Sequence, residues 1–168
     1  SLAVIGGFIF LGVAFLVAIN AYRSARQEKA LLVFYEAERD FEKKRLESQT
    51  QKNVNLVTVL KEEISRVDEI SKEYPSSSAA IFSFLKLGDF YASQKAYDPA
   101  ILFYERAERQ SNHPFYRILI YYNLGSLHEL ANRHEKAIEY YQKILNKLQE
   151  IFQLSALLTQ NLLVKIYK

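Results

Sequence analysis

Cysteine is absent from this 168-residue sequence, so disulfides and cysteine-ligated metal centres are excluded, and the redox compartment leaves no trace in the chain. Strand signals are almost absent as well. Apolar residues recur every third or fourth position instead of alternating, which predicts an all-α protein. Histidine is scarce: His113, His128 and His134 stand without carboxylates at ligand or relay spacing, so neither a metal nor a general base is expected. There is no Gly-rich phosphate loop, no serine nucleophile elbow and no HExxH, and paired carboxylates such as Glu62 and Glu63 read as solvated faces. No catalytic residue and no cofactor are therefore expected, and the chain reads as a non-enzyme.

A strong excess of one charge is missing too. The 22 basic and 19 acidic side chains nearly balance, and the densest basic cluster, Lys43, Lys44 and Arg45, is interleaved with Asp40, Glu42 and Glu47. The 12 tyrosines and 11 phenylalanines have no basic stripe beside them, so they read as packing residues and no nucleic-acid partner is expected.

What the chain does have is an apolar excess, 49% hydrophobic against 24% charged, and it is unevenly placed. Leu2 to Ile19 is an unbroken apolar run without charge, which at about 1.5 Å per residue nearly matches a bilayer core of roughly 30 Å. It predicts a transmembrane anchor over 1–22, embedded through residues 2–19. The run exceeds a signal-peptide core and is followed by good helix formers without a small-x-small cleavage site, so the anchor is expected to be retained. Arg23, Arg26 and Lys29 come next, and this positive flank by itself would place the remainder in the cytoplasm unless a more basic segment precedes Ser1.

Beyond the anchor, Leu31, Leu32, Phe34, Tyr35 and Phe41 predict a helical neck over 23–52, broken by the polar "ESQTQKN". Leu56, Val59, Leu60, Ile64, Val67 and Ile70 form the next stripe, which Pro75 ends. Serines after it can cap a further helix. Helices are then predicted at about 78–94, 98–110, 115–131 and 134–150, with Asp98 as a cap and Pro99 at the first helical position of the second of these.

Only two glycines lie outside the apolar run, Gly88 and Gly125, and they stand 37 positions apart. The same offset relates Leu87 to Leu124, Phe84 to Tyr121, Ala100 to Ala137 and Tyr104 to Tyr141. A helix-interior glycine costs about 1 kcal/mol relative to alanine, so a glycine that recurs with its neighbours marks a repeat in which the missing side chain lets a second helix approach.

With Phe84, Leu87, Gly88, Tyr91, Ala100, Tyr104 and Ala107 in one unit, and Tyr121, Leu124, Gly125, Ala137 and Tyr141 in the next, the chain resembles the tetratricopeptide repeat family, whose unit is a helix pair of 34 residues. The three additional residues fit a lengthened "RQSNHP" turn, and His128 and Ile144 depart from the pattern. The resemblance implies antiparallel helix pairs in a short α-solenoid, which with the apolar run makes the expected fold a single transmembrane helix followed by these pairs. Residues 53–168 form the repeat domain in this reading, with clear repeats at about 79–113 and 115–150. Gly88, Ala100, Gly125 and Ala137 are its structural markers.

Such a fold is expected to bind other proteins on the surface made by first helices. The family pattern puts Phe82, Leu85, Asp89 and Ala92 of one repeat, and Leu119, Tyr122, Ser126 and Glu129 of the next, on that groove. A second apolar surface is predicted at the C-terminal end, where Leu154, Leu158, Leu162 and Ile166 form a stripe suited to assembly or self-association, with Lys165 the one charge before the last residue.

The layout of anchor, neck, "EYPSSSAA" turn and repeats resembles the YfgM-like bacterial envelope proteins. That resemblance implies a single-pass inner-membrane protein with periplasmic repeats, ancillary to protein translocation and contacting chaperones. The alternative is a structural subunit of a large envelope machine, such as a flagellar motor collar or a secretion apparatus.

Overall fold

The computed structural model describes the backbone of residues 2–49 and 54–166, and the side chains of residues 10–49 and 54–160. The described residues form α1 (Leu2–Gln49), α2 (Leu56–Val59), α3 (Lys61–Glu73), α4 (Ser78–Ser93), α5 (Tyr97–Gln110), α6 (Pro114–Leu130) and α7 (His134–Ile166), and no strand occurs among them. The chain is all-helical, as the periodicity predicts. It divides into two compact units, Ser1–Ser83 and Phe84–Lys168, with the division inside α4.

In the first unit α1 and α3 run antiparallel. Arg26 donates to the Glu73 carbonyl at 3.0 Å, Arg66 pairs with Asp40 at 3.0 Å, and Lys44 pairs with Glu63 at 2.8 Å, so the partners' numbers fall on α3 as they rise on α1. The buried stripe of α1 is Ala30, Phe34, Ala37 and Phe41, at the four-three-four spacing that keeps one helix face inward. Val67 and Ile70 meet it from α3, Leu60 fills the bend before α3, and Phe82 packs against Phe34 with ring centroids 5.9 Å apart.

The segment that reads in sequence as a neck thus makes one half of a helix pair. Its large apolar residues hide this, because Leu32 and Tyr35 are exposed, whereas the small Ala30 and Ala37 lie on the contact and permit close approach. Part of the anchor expected at 1–22 falls on residues 1–9, whose side chains lie outside those described. Phe10, Leu11, Val13, Phe15, Leu16 and Val17 are all exposed, and among the described residues no helix is long and apolar enough to cross a membrane.

Pro75 ends α3 through a tight turn. The Ser77 amide donates to the Tyr74 carbonyl at 3.2 Å, with Ser76 at φ 62° in the left-handed region that a turn of this type requires. Ser77 then caps α4: its hydroxyl accepts from the Ala80 amide at 3.0 Å.

The second unit holds Phe84–Ser93 of α4 together with α5, α6 and α7. Its core gathers Phe84, Ala100, Ile101, Tyr104, Ala107, Ile120, Tyr121, Leu124, Leu127 and Tyr140. The turn closing each first helix has the same geometry. Ala96 N–H bonds Tyr91 O at 3.0 Å and Arg133 N–H bonds His128 O at 2.8 Å, with Lys95 and Asn132 at φ 58° between them. Both are helix terminations of the Schellman kind, again 37 positions apart, formed without the glycine that usually supplies the left-handed residue.

Two local expectations change. Asp98 does not cap α5, because the helix begins at Tyr97 with Ala96 as its cap residue; the Asp98 carboxylate sits in the first turn and pairs with Arg133 at 2.5 Å. An acid there also faces the positive end of the helix. The second helix of the last repeat does not end near 150, since α7 continues to Ile166. Pro114 begins α6 soon after α5 closes at Ser111, but no proline or glycine follows His134.

Candidate protein-docking surface

The repeat glycines set how closely the helices of the second unit approach. A methyl carbon at Gly88 would stand 2.7 Å from two ring carbons of Tyr104, and one at Gly125 would stand 2.5 Å from Cε1 of Tyr141. Each tyrosine therefore lies flat on the missing side chain of the preceding helix. Each also ties its hydroxyl to an acid on that helix: Tyr104 donates to Asp89, and Tyr141 donates to Glu129 at 2.9 Å. Burial and the neighbouring carboxylate push both phenol groups above their ordinary range. Ala100 and Ala137 are buried beside these contacts.

These ties decide what the residues on the expected groove can do. Asp89 and Glu129 are exposed but already accept tyrosine hydroxyls, so they work first as fasteners between paired helices. Leu85 is half-buried against the core, and Ala92 packs there too. Phe82 belongs to the first unit, where it meets Phe34. Ser126 is half-buried.

Leu119 and Tyr122 differ from these, being 48% and 58% exposed. Phe115, one turn earlier and 70% exposed, extends them into a stripe at i, i+4 and i+7 along α6. The opposite face of α6 supplies Ile120, Tyr121, Leu124 and Leu127 to the core. The helix is thus apolar on two sides, one of them uncovered. Phe115 is absent from the sequence-based set, although its four-residue spacing from Leu119 was a readable signal; its place within a turn-like "NHPF" concealed it.

Two further features are visible only in three dimensions. Lys143 lies over the Tyr140 ring at 4.2 Å and reaches Glu108 at 3.3 Å, which brings α5 and α7 together on one cation. His128 is buried and its ring stacks on Tyr140 at 5.5 Å, with Nδ1 lacking a hydrogen-bond partner. Burial first, and the charge of Arg133 second, lower its pKa below the ordinary value. Among the described residues no group of three or more histidines and carboxylates could hold a metal.

At the C-terminal end, Leu154 and Leu158 are 59% and 55% exposed, and Phe152 is 71% exposed. The side chains of Leu162 and Ile166 lie outside those described. α6 has 17 residues and α7 has 33, so α7 carries an excess of 16 residues over the helix it pairs with. The stripe that buries Tyr140 and packs Ile144 continues into this excess, where its leucines are uncovered.

No curated protein and no solved structure gives a match to the chain. A family model does: residues 118–146, which hold most of α6 and the first part of α7, match the tetratricopeptide repeat. The helix pair that carries Gly125 and Tyr141 is thereby similar to the unit of that family, and the pair carrying Gly88 and Tyr104 repeats its turn and its glycine contact.

Proposed function

We propose that this chain is a non-catalytic, membrane-anchored repeat module that binds other proteins through the outer face of α6. One observation carries the reading: Phe115, Leu119 and Tyr122 form an uncovered apolar stripe on the first helix of the matched repeat, while the helix's other side is locked into the core. Tetratricopeptide repeats generally mediate protein–protein contacts, and an apolar stripe rimmed by Ser126 and Glu129 suits an apolar peptide segment or helix of a partner.

Anchoring is the second part of the reading. Its support is the charge-free run from Leu2 to Ile19, the uniform exposure of Phe10 to Val17, and the order Tyr22, Arg23, Arg26 that follows, an aromatic and basic rim of the kind found at bilayer interfaces. The layout favours the bacterial inner membrane and a role ancillary to protein translocation or chaperoning, with the repeats in the periplasm, against the cytoplasmic side to which the positive flank by itself points.

A photo-crosslinking residue at Tyr122 of the full chain, expressed in its native cells, tests the docking face. Discrete protein adducts are expected, and Leu119→Glu should remove them while adducts at the remote exposed Gln142 stay unchanged. Failure to form any adduct specific to position 122 would overturn this face as the binding surface.

A second reading is favoured by the uncovered leucines of α7. In it the chain is a structural subunit that assembles with its own copies or with neighbours in a larger envelope machine through Phe152, Leu154 and Leu158.

A further inference from the structure

The end of the apolar run meets a cavity that neither protein docking nor the hydrophobic anchor accounts for. It has a volume of about 380 Å³ and is lined by Arg23, Arg26 and Gln27 of α1 and by the Tyr74–Ser77 turn. Its polar lining is rich in donors. Arg26 uses one N–H on the Glu73 carbonyl and lies over the Tyr74 ring at 5.9 Å, which fixes its guanidinium and leaves other N–H groups unspent. Gln27 accepts the Ser78 amide through Oε1 at 3.1 Å, so its NH₂ group remains a donor. Arg23 makes no ion pair among the described residues.

No carboxylate lines this cavity, so the Arg23 guanidinium meets no acid within it. The neighbouring cavity, which Arg26 also lines, is different, since Glu73 belongs to its wall beside Arg26 and Lys29. The wall of the first cavity also holds, among the described residues, the one of the first unit in a left-handed conformation, Ser76 at φ 62°.

We propose that this cavity binds a phosphate group, presented by an anionic lipid of the membrane that α1 enters. The inference rests on the bilayer reading of Leu2–Ile19. On that reading Arg23 stands four residues, about 6 Å, beyond the last apolar residue, and Arg26 about 10 Å beyond it. The headgroup layer on one side of a bilayer is about 5–8 Å deep, so Arg23 lies within it, and Arg26, rooted just past its outer edge, leans back toward it because helix side chains tilt toward the N-terminus. Guanidinium groups suit this ligand because their planar N–H pairs match two phosphate oxygens at once.

The test uses the full chain in nanodiscs of phosphatidylcholine containing a minor share of phosphatidylglycerol, with native mass spectrometry of the released protein and its retained lipid. Wild type is expected to keep phosphatidylglycerol over phosphatidylcholine by about thirtyfold, the factor equivalent to about 1 kcal/mol for each of the two arginines. Arg23→Gln should cut the preference to about fivefold, while Lys29→Gln, which removes the same charge outside the cavity, should keep the wild-type value. Equal loss in both variants, or no preference in wild type, overturns the site in favour of general surface attraction.

Flotation with vesicles of the same lipids separates this outcome from failure of the anchor. A chain that stays in the aqueous fraction removes the lipid as the source. Titration of that soluble chain with inorganic phosphate then decides the cavity itself: binding abolished by Arg23→Gln retains the anion site, and no binding ends it.

Discussion

The ring of Tyr141 occupies the space that a side chain at Gly125 would need, with 2.5 Å between its Cε1 and a methyl carbon at residue 125. Tyr104 stands in the same relation to Gly88. In a helix, glycine to alanine ordinarily gains about 1 kcal/mol. Here overpacking against a phenol that is held by its own hydroxyl opposes that gain. Gly125→Ala is expected to lower stability by about 1–3 kcal/mol net, and Gly125→Leu by at least as much. Repeating Gly125→Ala in a Tyr141→Ala background should reverse its sign, because only the propensity term then remains. Chemical denaturation of the four proteins checks the cycle; additive effects would show that the ring is not the obstacle.

Stability should depend on His128 at mildly acid pH. Burial and Arg133 lower its pKa in the folded chain, opposed by Glu105 and Glu139, whereas the unfolded chain titrates near 6.5. Between the two values the unfolded state binds more protons, so stability is full above about pH 6.5 and is lost as pH falls toward the folded value. The slope approaches about 1.4 kcal/mol per pH unit at most for one proton. His128→Phe keeps the stack on Tyr140 and removes the titration. Melting curves from pH 7.5 to 5.5 should therefore fall for wild type and be flatter for the variant; parallel curves would assign the dependence elsewhere.

Ser83 is fully buried in α4 and its hydroxyl has no hydrogen-bond partner. A buried polar group left unpaired costs about 1–3 kcal/mol, and alanine is also the better helix former. Ser83→Ala should raise the urea midpoint, with a gain of about 1 kcal/mol or more and an unchanged denaturant slope. A lower midpoint would mean that the hydroxyl has a partner in solution.

The excess of α7 should separate assembly from folding. Leu154→Glu with Leu158→Glu alters exposed side chains, so the melting temperature of the monomer should move little, within about 0.5 kcal/mol of wild type. Leu124→Ala, in the core, should cost about 2–5 kcal/mol. If the structural-subunit reading is right, sedimentation of the full chain in detergent will show oligomers that the double glutamate variant lacks. A monomer at every concentration in wild type would remove that reading.

Much of this architecture could be read from spacing. The all-helical fold follows from three- and four-residue periodicity, and the repeat follows from pairs such as Gly88 with Gly125 and Tyr104 with Tyr141, whose common offset survives any error in helix ends. The helix starts at Tyr97 and His134 keep that offset as well. What resisted reading was the identity of inward faces. Ala30 and Ala37 mark the buried side of α1, yet alanine carries little hydropathy signal and the bulkier Leu32 and Tyr35 point outward.

The candidate site shows the same division. Leu119 and Tyr122 lie uncovered at their expected positions, whereas Asp89 and Glu129, read as groove residues, are taken up by tyrosine hydroxyls. Asp98, read as a cap, belongs to a pair with Arg133. A carboxylate has several lawful partners on neighbouring helices and turns, and local sequence does not rank them.

By itself, then, the sequence determined the helical class, the 37-residue repeat and the glycine that each repeat keeps, because these depend on periodicity and side-chain size along the chain. Tertiary structure alone decided which tyrosine fills each glycine's space, that residues 26–44 pair with α3, and that α7 continues past its partner helix. Those outcomes depend on which surfaces meet across the chain, and a contact between distant residues is selected by shape and burial in three dimensions.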